Sequence, residues 1–326
     1  MACIKFMVSL LAASQILMSP VLSYAAERQV PNRPLIEHSF ETGSGLPVKY
    51  FISTGKPNAP LIVFIQGSGC KPVMNGKNTE GGSTVYGFFP AAYKPGFNAM
   101  VIDKPFTADK DTGTGGVSEF CSKDFNNTFS FDNWFEVVDA AFTHAINNSD
   151  VSKKDVLVLG VSEGAVVASA LASKHDTIRD LALIGASGDN QLFDFISLAH
   201  TNGRQNSIQE IANKAKEILE DPNNSEKFAW GHTYKRWSSF FKVSPSNLLK
   251  DTSKRIYLVS GTEDRSVPIQ STELLYSRLV LQGSDVRFRR VEGAGHNLLK
   301  NGDSWEKLEA EYKLITDWYL GFDGTP

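Results

Sequence analysis

The sequence predicts an α/β fold, in which a mostly parallel sheet is flanked by helices on both faces. Two observations lead to this fold class. Short, continuous apolar runs such as LIVFIQ at 61–66 and FNAMVID at 97–103 are typical of strands that are covered on both faces. These runs alternate along the chain with segments of helical spacing, and this alternation is typical of parallel strands joined by crossover helices.

The individual elements follow in chain order. A hairpin is predicted around the turn Gly43-Ser44-Gly45, with strands at 35–41 and 48–53. Further strands are predicted at 61–66, 97–103, 156–159, 181–184, 256–259 and 286–291. Helices are predicted at 134–146, 208–219, 274–281 and 305–320.

The composition is that of an ordinary globular protein. The chain has 326 residues, of which 41% are hydrophobic and 21% charged. Its formal net charge of −3 gives no basic footprint for nucleic acid or acidic membranes, so we expect no nucleic-acid partner. There is no heptad pattern, repeat period or low-complexity tract, and the sequence leaves the oligomeric state open.

The first 25 residues have the pattern of a signal peptide. A positive charge at Lys5 and a short apolar stretch at 6–18 precede the small residues Ser23 and Ala25, which suit a cleavage site. The alternative is a membrane anchor, but the apolar stretch is too short to span a bilayer comfortably. We therefore expect residues 1–25 to be removed and the mature protein to be periplasmic or secreted, with no stable membrane insertion.

One long connection interrupts the alternation of strands and helices. More than 60 residues separate the strand at 181–184 from the strand at 256–259. A connection of this length inside a compact domain is normally functional, so we predict a helical lid at 188–250. The lid would divide the core into a first part at 26–187 and a second at 251–326. Its aromatic side chains form either an apolar wall over a site or a helix-packing core: Phe228, Trp230, Tyr234, Trp237, Phe240 and Phe241.

A serine stands between two glycines where the strand at 156–159 ends. The stretch Gly160-Val161-Ser162-Glu163-Gly164 leads directly into an alanine-rich helix. It is either a tight turn that happens to contain Ser162 or a nucleophile elbow, a sharp turn that leaves room for no larger residue than glycine on either side. A serine hydroxyl needs a base to take its proton and an acid to orient that base.

Both groups follow downstream in the chain. Asp264 lies in the loop after the strand at 256–259, and His296 lies in the loop after the strand at 286–291. Glu263 adjoins Asp264 and is the alternative acid. The remaining histidines have no comparable setting and are expected to be surface or structural residues: His38, His144, His175, His200 and His232.

Through three stretches in this order, the sequence resembles the α/β-hydrolase superfamily of serine hydrolases. They are GVSEG at 160–164, GTEDRSVP at 261–268 and GAGH at 293–296. The resemblance covers nearly all of the mature chain and extends to esterases and to prolyl-oligopeptidase-like or dienelactone-hydrolase-like members. It implies an α/β-hydrolase fold with Ser162 as nucleophile, His296 as base and Asp264, in preference to Glu263, as acid.

The resemblance also implies an oxyanion hole made of two backbone N–H groups. One belongs to the residue after the nucleophile, Glu163, and the other to the loop after the third strand, Gln66-Gly67-Ser68-Gly69-Cys70. In that loop we choose Ser68, with Gly69 as the close alternative. A glutamate after the nucleophile departs from the commonest choices in the superfamily, and the sequence leaves its role open.

Two cysteines remain after removal of the signal peptide, Cys70 and Cys121. Because an exported chain meets an oxidising compartment, we expect them to form a disulfide rather than two separate buried thiols. In the fold implied by the resemblance, the loops that carry them leave neighbouring strands at the same edge of the sheet.

The sequence therefore predicts an exported serine hydrolase that cleaves ester or amide bonds of small substrates. The alternatives within enzymes are a peptidase of prolyl-oligopeptidase or aminopeptidase type and an acyltransferase. The alternative from another class is a non-catalytic binding protein on a hydrolase fold. We expect no cofactor and no metal, and a small ester or peptide as the partner.

Overall fold

A computed structural model describes residues 35–53, 57–75, 83–84, 96–107 and 116–322. The predicted signal peptide at 1–25 lies outside these residues. Within them, no helix combines the length and the apolar character needed to cross a membrane.

The described residues form an eight-stranded sheet with the order β1-β2-β6-β3-β7-β8-β11-β12. Its strands are β1 (Leu35–Glu41), β2 (Pro47–Ser53), β3 (Leu61–Ile65), β6 (Asn98–Ile102), β7 (Val156–Val161), β8 (Ile178–Ile184), β11 (Arg255–Gly261) and β12 (Val286–Val291). Strand β2 pairs antiparallel with β1 and β6, and the remaining pairs are parallel. Two short hairpin pairs stand apart from the sheet: β4 (Met74–Asn75) with β5 (Ser83–Thr84), and β9 (Phe228–Ala229) with β10 (His232–Thr233).

Helices connect most of the strands. In chain order they are α1 (Lys123–Thr128), α2 (Phe131–Asn148), α3 (Glu163–Lys174), α4 (Gln191–Thr201), α5 (Gln205–Glu220), α6 (Tyr234–Phe240), α7 (Pro245–Leu248), α8 (Ile269–Leu281) and α9 (Trp305–Leu320). The predicted strands and long helices are thus present with bounds shifted by a few residues. Helix α4 and the short helices α1, α6 and α7 were not predicted.

The central strands are buried on both faces, which explains their continuous apolar runs. Strand β3 is buried at all five positions. Its side chains alternate, because successive residues of a strand point to opposite faces. Leu61, Val63 and Ile65 pack in a core that contains residues of helices α2, α3 and α8. Ile62 and Phe64 pack on the other side with residues of helix α9.

The segment 188–250 carries a small core of its own. Tyr234, Trp237 and Phe241 pack there with Ala215 and Ile218 of helix α5. For these three rings the helix-packing alternative is the one that the burial favours, because they pack in the core of the segment itself. Of the other predicted wall residues, Phe240 belongs to the main core, Trp230 packs against the small core and Phe228 is 36% exposed.

Candidate active site

The elbow between β7 and α3 holds Ser162 in a conformation that is uncommon for a residue with a side chain. Its φ is 56° and its ψ is −121°. Backbone strain of this kind persists only where the surroundings enforce it, and it concentrates at functional sites. A serine at the N-cap of a helix ordinarily accepts a hydrogen bond from the helix backbone, but the Ser162 side chain makes none there. The Ser162 hydroxyl is therefore not used to cap the helix.

Close packing explains both glycines of the elbow. A Cβ on Gly160 would lie 2.5 Å from the Gly164 carbonyl oxygen and 2.6 Å from the Ala168 Cβ. A Cβ on Gly164 would lie 2.2 Å from the Ile65 carbonyl oxygen, at the end of the neighbouring strand. The prediction that the turn has no room for larger residues is confirmed.

Asp264 and His296 lie together at the carboxyl ends of β11 and β12. The Asp264 Oδ2 atom is 2.7 Å from the His296 Nδ1 atom. The other carboxylate oxygen, Oδ1, accepts hydrogen bonds from the backbone N–H groups of Ser266 at 2.8 Å and Val267 at 2.9 Å. Asp264 is buried, whereas Glu263 is exposed. The carboxylate that contacts the histidine ring is thus that of Asp264.

The end of β8 contacts both Ser162 and this pair. The Ser162 N–H donates to the Ile184 carbonyl oxygen at 2.8 Å. The following residue, Gly185, has a φ of +57°, and a Cβ on it would lie 3.1 Å from the His296 Cε1 atom. The backbone on which the histidine ring rests is therefore the backbone that holds Ser162.

The surroundings of His296 favour its protonated form. Burial alone would lower the pKa of the imidazole, but the carboxylate of Asp264 raises it through charge and a hydrogen bond, and Asp194 adds to this effect. The net pKa lies above the ordinary value of 6.5. Because Nδ1 faces Asp264, the Nε2 atom is the one left to exchange a proton with a neighbouring group.

Asp194 is a second buried carboxyl group beside this pair. It lies on helix α4, is hydrogen-bonded to the Ser187 hydroxyl, and is 4% exposed. Burial raises its pKa to about 7, and the negative charges of Asp264 and Asp189 act in the same direction. The protonated form of Asp194 is therefore populated near neutral pH.

The carboxylate of Glu163 is enclosed by two cations. Its Oε1 atom is 2.8 Å from the Lys104 Nζ atom, and its Oε2 atom is 2.6 Å from Nη2 and 3.0 Å from Nε of Arg236. The exposed fractions of these three side chains are 0% for Glu163 and Lys104 and 2% for Arg236. Burial would raise the pKa of Glu163, but Lys104 and Arg236 bring it down to about 2. Glu163 is therefore ionised at neutral pH.

The same lysine holds the loop predicted to supply an oxyanion donor. The Lys104 Nζ atom donates to the carbonyl oxygens of Gly67 at 2.6 Å and Gly69 at 2.9 Å. Ser68 lies between these two glycines. The loop ends at Cys70, which is joined to Cys121 by a disulfide, so the predicted pairing is confirmed. The strands before the two loops, β3 and β6, are indeed neighbours.

Several residues around the site were missed by the interpretation of the sequence. Lys104 and Arg236 were not singled out, and Asp194 was not weighed. One feature of the sequence pointed to Lys104: it follows strand β6, at the edge of the sheet where the loops with the other site residues lie. His232, expected to be a surface or structural residue, is buried, and its Nδ1 atom lies 3.1 Å from the Ser118 hydroxyl. Burial lowers the pKa of His232 well below 6.5, and the positive charge of Arg236 acts in the same direction. The other histidine contacts are remote from the site, such as that of His175 with Asp139 at 2.6 Å.

The structure offers no obvious metal centre in the part of the chain that it describes. There, no three or more His, Cys, Asp or Glu side chains come close enough together to hold a metal ion. The site chemistry that can be derived from these residues is that of a serine, an imidazole and a carboxylate.

Solved structures of similar fold are peptidases and esterases. The acylaminoacyl peptidase of Pyrococcus horikoshii aligns with a TM-score of 0.62 at 14% identity, over 89% of this chain and 42% of the peptidase. Est1E from Butyrivibrio proteoclasticus aligns with a TM-score of 0.55 at 12% identity, over 87% of this chain and 99% of the esterase. The esterase domain of a Rhodothermus marinus protein aligns with a TM-score of 0.53 at 13% identity, over 87% and 97% of the two chains.

This likeness confirms the predicted α/β-hydrolase fold. The chain spans less than half the length of the acylaminoacyl peptidase, whereas it spans nearly the whole of both esterases. No curated protein is similar enough in sequence to match. The model of the prolyl oligopeptidase family matches residues 118–321, which is more than half of the chain and includes Ser162, Asp264 and His296. The chain therefore belongs to the prolyl oligopeptidase family, within the α/β-hydrolase superfamily of serine hydrolases.

Proposed function

We propose that this protein hydrolyses ester or amide bonds of small substrates through an acyl-enzyme on Ser162. The observation that carries the proposal is the pairing of His296 with Asp264 at 2.7 Å, against the backbone that holds the strained Ser162. A serine, an imidazole and a buried carboxylate at one edge of a sheet are the components of a hydrolytic triad.

The mechanism uses the free nitrogen of the imidazole. The Ser162 Oγ atom attacks the substrate carbonyl carbon while its proton passes to His296 Nε2. Asp264 holds Nδ1–H and stabilises the imidazolium. The tetrahedral intermediate then collapses, and the proton moves from Nε2 to the leaving alcohol or amine. Water repeats the sequence on the acyl-enzyme, releases the carboxylic acid and restores Ser162.

The developing oxyanion is bound by the backbone N–H groups of Glu163 and Ser68. Glu163 is the first residue of helix α3, where the N–H groups have no acceptor within the helix. Partial positive charge at a helix N-terminus also favours an anion there. Ser68 contributes from the loop after β3, with Gly69 as the alternative donor.

The segment 188–250 acts as a lid over Ser162. The support for this role is the reach of Arg236 from helix α6 to Glu163, the residue after the nucleophile. A cover anchored so close to the nucleophile leaves space for short acyl groups and short peptides but not for an intact protein. We therefore propose short-chain esters or short peptides as substrates.

The same proposal places the mature protein in the periplasm or outside the cell. Residues 1–25 have the pattern of a signal peptide, and the Cys70–Cys121 disulfide suits an oxidising compartment.

The deciding experiment is labelling with a fluorophosphonate probe, followed by a substrate panel. The wild-type protein should be labelled, Ser162→Ala should not, and turnover should fall by several orders of magnitude in that variant. The panel compares p-nitrophenyl acyl esters with aminoacyl and prolyl amides. Preference for an N-terminal proline amide would make the protein a peptidase, and faster transfer to an added alcohol than to water would make it an acyltransferase. Absence of labelling would favour a binding protein on a hydrolase fold, and cleavage of intact casein would contradict the lid.

A further inference from the structure

Lys104 is a buried cation whose hydrogen-bonding capacity is fully used at the candidate site. Its ammonium group carries three N–H bonds, and it has three acceptors: the carbonyl oxygens of Gly67 and Gly69 and the Oε1 atom of Glu163. The side chain is fully buried, and its Nζ atom lies 4.8 Å from the ring centroid of Phe129. This arrangement gives the ammonium a single position.

The position of the ammonium fixes the orientation of one peptide unit in the loop 66–70, which is predicted to supply an oxyanion donor. A trans peptide is planar, so its C=O and N–H point in opposite directions. The carbonyl of Gly67 and the N–H of Ser68 belong to the same peptide unit. Because the Gly67 carbonyl points at Lys104, the Ser68 N–H is directed away from it. The lysine thus determines where the predicted donor points without contacting the substrate.

The third acceptor links this loop to the nucleophile. Glu163 follows Ser162, and its own N–H is the other predicted oxyanion donor. Lys104 therefore connects the two donor segments through a single ammonium, at 2.6 Å on the loop side and 2.8 Å on the elbow side. Arg236 donates a hydrogen bond to the other carboxylate oxygen of Glu163, Oε2.

We propose that Lys104 is a positioning residue that sets the geometry of the oxyanion hole by tying the Gly67-Ser68-Gly69 loop to Glu163. The inference rests on the proposed function, since it needs an oxyanion to form at Ser162. Preorganised donors are aimed at charge that develops in the transition state, so their misplacement lowers kcat more than it weakens substrate binding.

The charge balance of the cluster selects the test variant. Glu163→Gln would leave two buried cations without a counter-charge, which is strongly destabilising. Lys104→Met leaves the neutral pair of Glu163 and Arg236 intact and retains most of the volume of the stem. The variant therefore removes the three hydrogen bonds of the ammonium together with its charge, while Glu163 keeps Arg236 as its partner.

Lys254 provides a matched control. Its Nζ atom also donates to two backbone carbonyls, those of His175 at 2.9 Å and Ile178 at 2.8 Å. Ile178 begins β8 and His175 follows helix α3, so both carbonyls lie at the opposite end of β8 from Gly185. Lys254→Met therefore removes the same kind of interaction far from Ser162.

The experiment measures hydrolysis of p-nitrophenyl butyrate and inhibition by an alkyl trifluoromethyl ketone, which forms a tetrahedral oxyanion adduct with an active serine. For Lys104→Met we expect kcat to fall about 10- to 1000-fold with KM within about 3-fold, and the ketone to lose affinity in proportion. Lys254→Met should retain both values within about 3-fold. Where circular dichroism shows that Lys104→Met is unfolded, Lys104→Gln takes its place, with a loss of at least about 10-fold in kcat expected.

If fluorophosphonate labels the wild type, three results would overturn this inference and leave the proposed function standing. They are an unchanged kcat in the Lys104 variant, an equal loss of kcat in Lys254→Met, and a rise in KM without a loss of kcat. If instead the wild type is not labelled and Ser162→Ala is as active as the wild type, the proposed function fails and the inference fails with it.

Discussion

Gly185 lies directly against the catalytic candidate His296. A Cβ on this glycine would be 3.1 Å from Cε1 and 3.2 Å from Nδ1 of the ring, and 3.5 Å from Asp264 Oδ2. The imidazole therefore rests on bare backbone at the end of β8, and the carboxylate that orients it lies within reach of the same surface.

Gly185→Ala should displace the ring of His296. We expect kcat to fall by about 10-fold or more, because small misplacements of catalytic groups are costly. Gly203→Ala is the control for backbone strain, since Gly203 has a φ of +66° and nothing within 4 Å of its Cβ position. Steady-state kinetics and thermal unfolding of both variants make the comparison. Equal kinetic effects would show that backbone strain alone is responsible.

The acid can be assigned by comparing Asp264→Asn with Glu263→Gln. Asp264 is buried and contacts His296, so its loss should reduce kcat by about 10³- to 10⁴-fold through the wrong imidazole tautomer. Glu263 is exposed, and its neutral variant should remain within a few fold of the wild type. A larger loss in Glu263→Gln than in Asp264→Asn would show that the acid has been assigned to the wrong residue.

The pH dependence of kcat/KM should report the imidazole. His296 acts as base only when it is neutral, and its pKa lies above 6.5 because Asp264 and Asp194 outweigh the effect of burial. Activity should therefore be lost as the pH falls through a midpoint above 6.5. Initial rates between pH 5 and 9 measure this midpoint. A midpoint below 6.5 would contradict the assignment.

Asp194→Asn should stabilise the protein in a defined pH window. Burial raises the pKa of Asp194 from 3.8 to about 7, so the folded state loses stability relative to the unfolded chain as the pH rises from 4 to 7. Asparagine does not ionise and avoids this loss. The gain in unfolding free energy should be absent near pH 4 and reach at most about 4 kcal/mol above pH 7.

Asp251→Asn is the control for the Asp194 experiment, because it removes an exposed carboxylate by the same substitution. Urea unfolding at pH 4, 6 and 8 should show no comparable trend for this variant. A constant difference between Asp194→Asn and the wild type across the three pH values would exclude ionisation of Asp194 as the cause.

The disulfide should be found in protein purified from the exported fraction. Mass spectrometry after alkylation without reduction should detect no free thiol at Cys70 or Cys121. Cys121→Ser should lower the free energy of unfolding by about 4 kcal/mol, since the bond closes a loop of 51 residues in the unfolded chain. Two alkylatable thiols would contradict the bridge.

The strands and the elbow could be predicted because their signals are local. An apolar run such as 61–65 needs cover on both faces wherever it lies, and Gly160 and Gly164 are required by contacts that any such turn makes. Asp264 and His296 could be placed for the same reason, since each follows a strand whose carboxyl end faces the site.

The charged cluster could not be predicted, since it depends on three segments that are distant in the sequence. Lys104 follows β6, Glu163 begins α3, and Arg236 lies in an aromatic stretch that gave only a packing signal. Each residue alone resembles an ordinary surface charge. Only the folded chain brings the three segments together and makes these residues partners.

In the part of the chain that the structure describes, strand β12 is the last strand at one edge of the sheet, and its sequence bears on what can pair with that edge. An open strand edge is a template for pairing with another copy of the chain. Three of the six residues of β12 are arginines: Arg287, Arg289 and Arg290. Arg289 and Arg290 are held by Glu311 at 2.5 Å and Glu273 at 2.8 Å. A second β12 alongside would crowd the arginines of both copies and compete with these carboxylate partners, so we expect this border to disfavour edge-to-edge pairing.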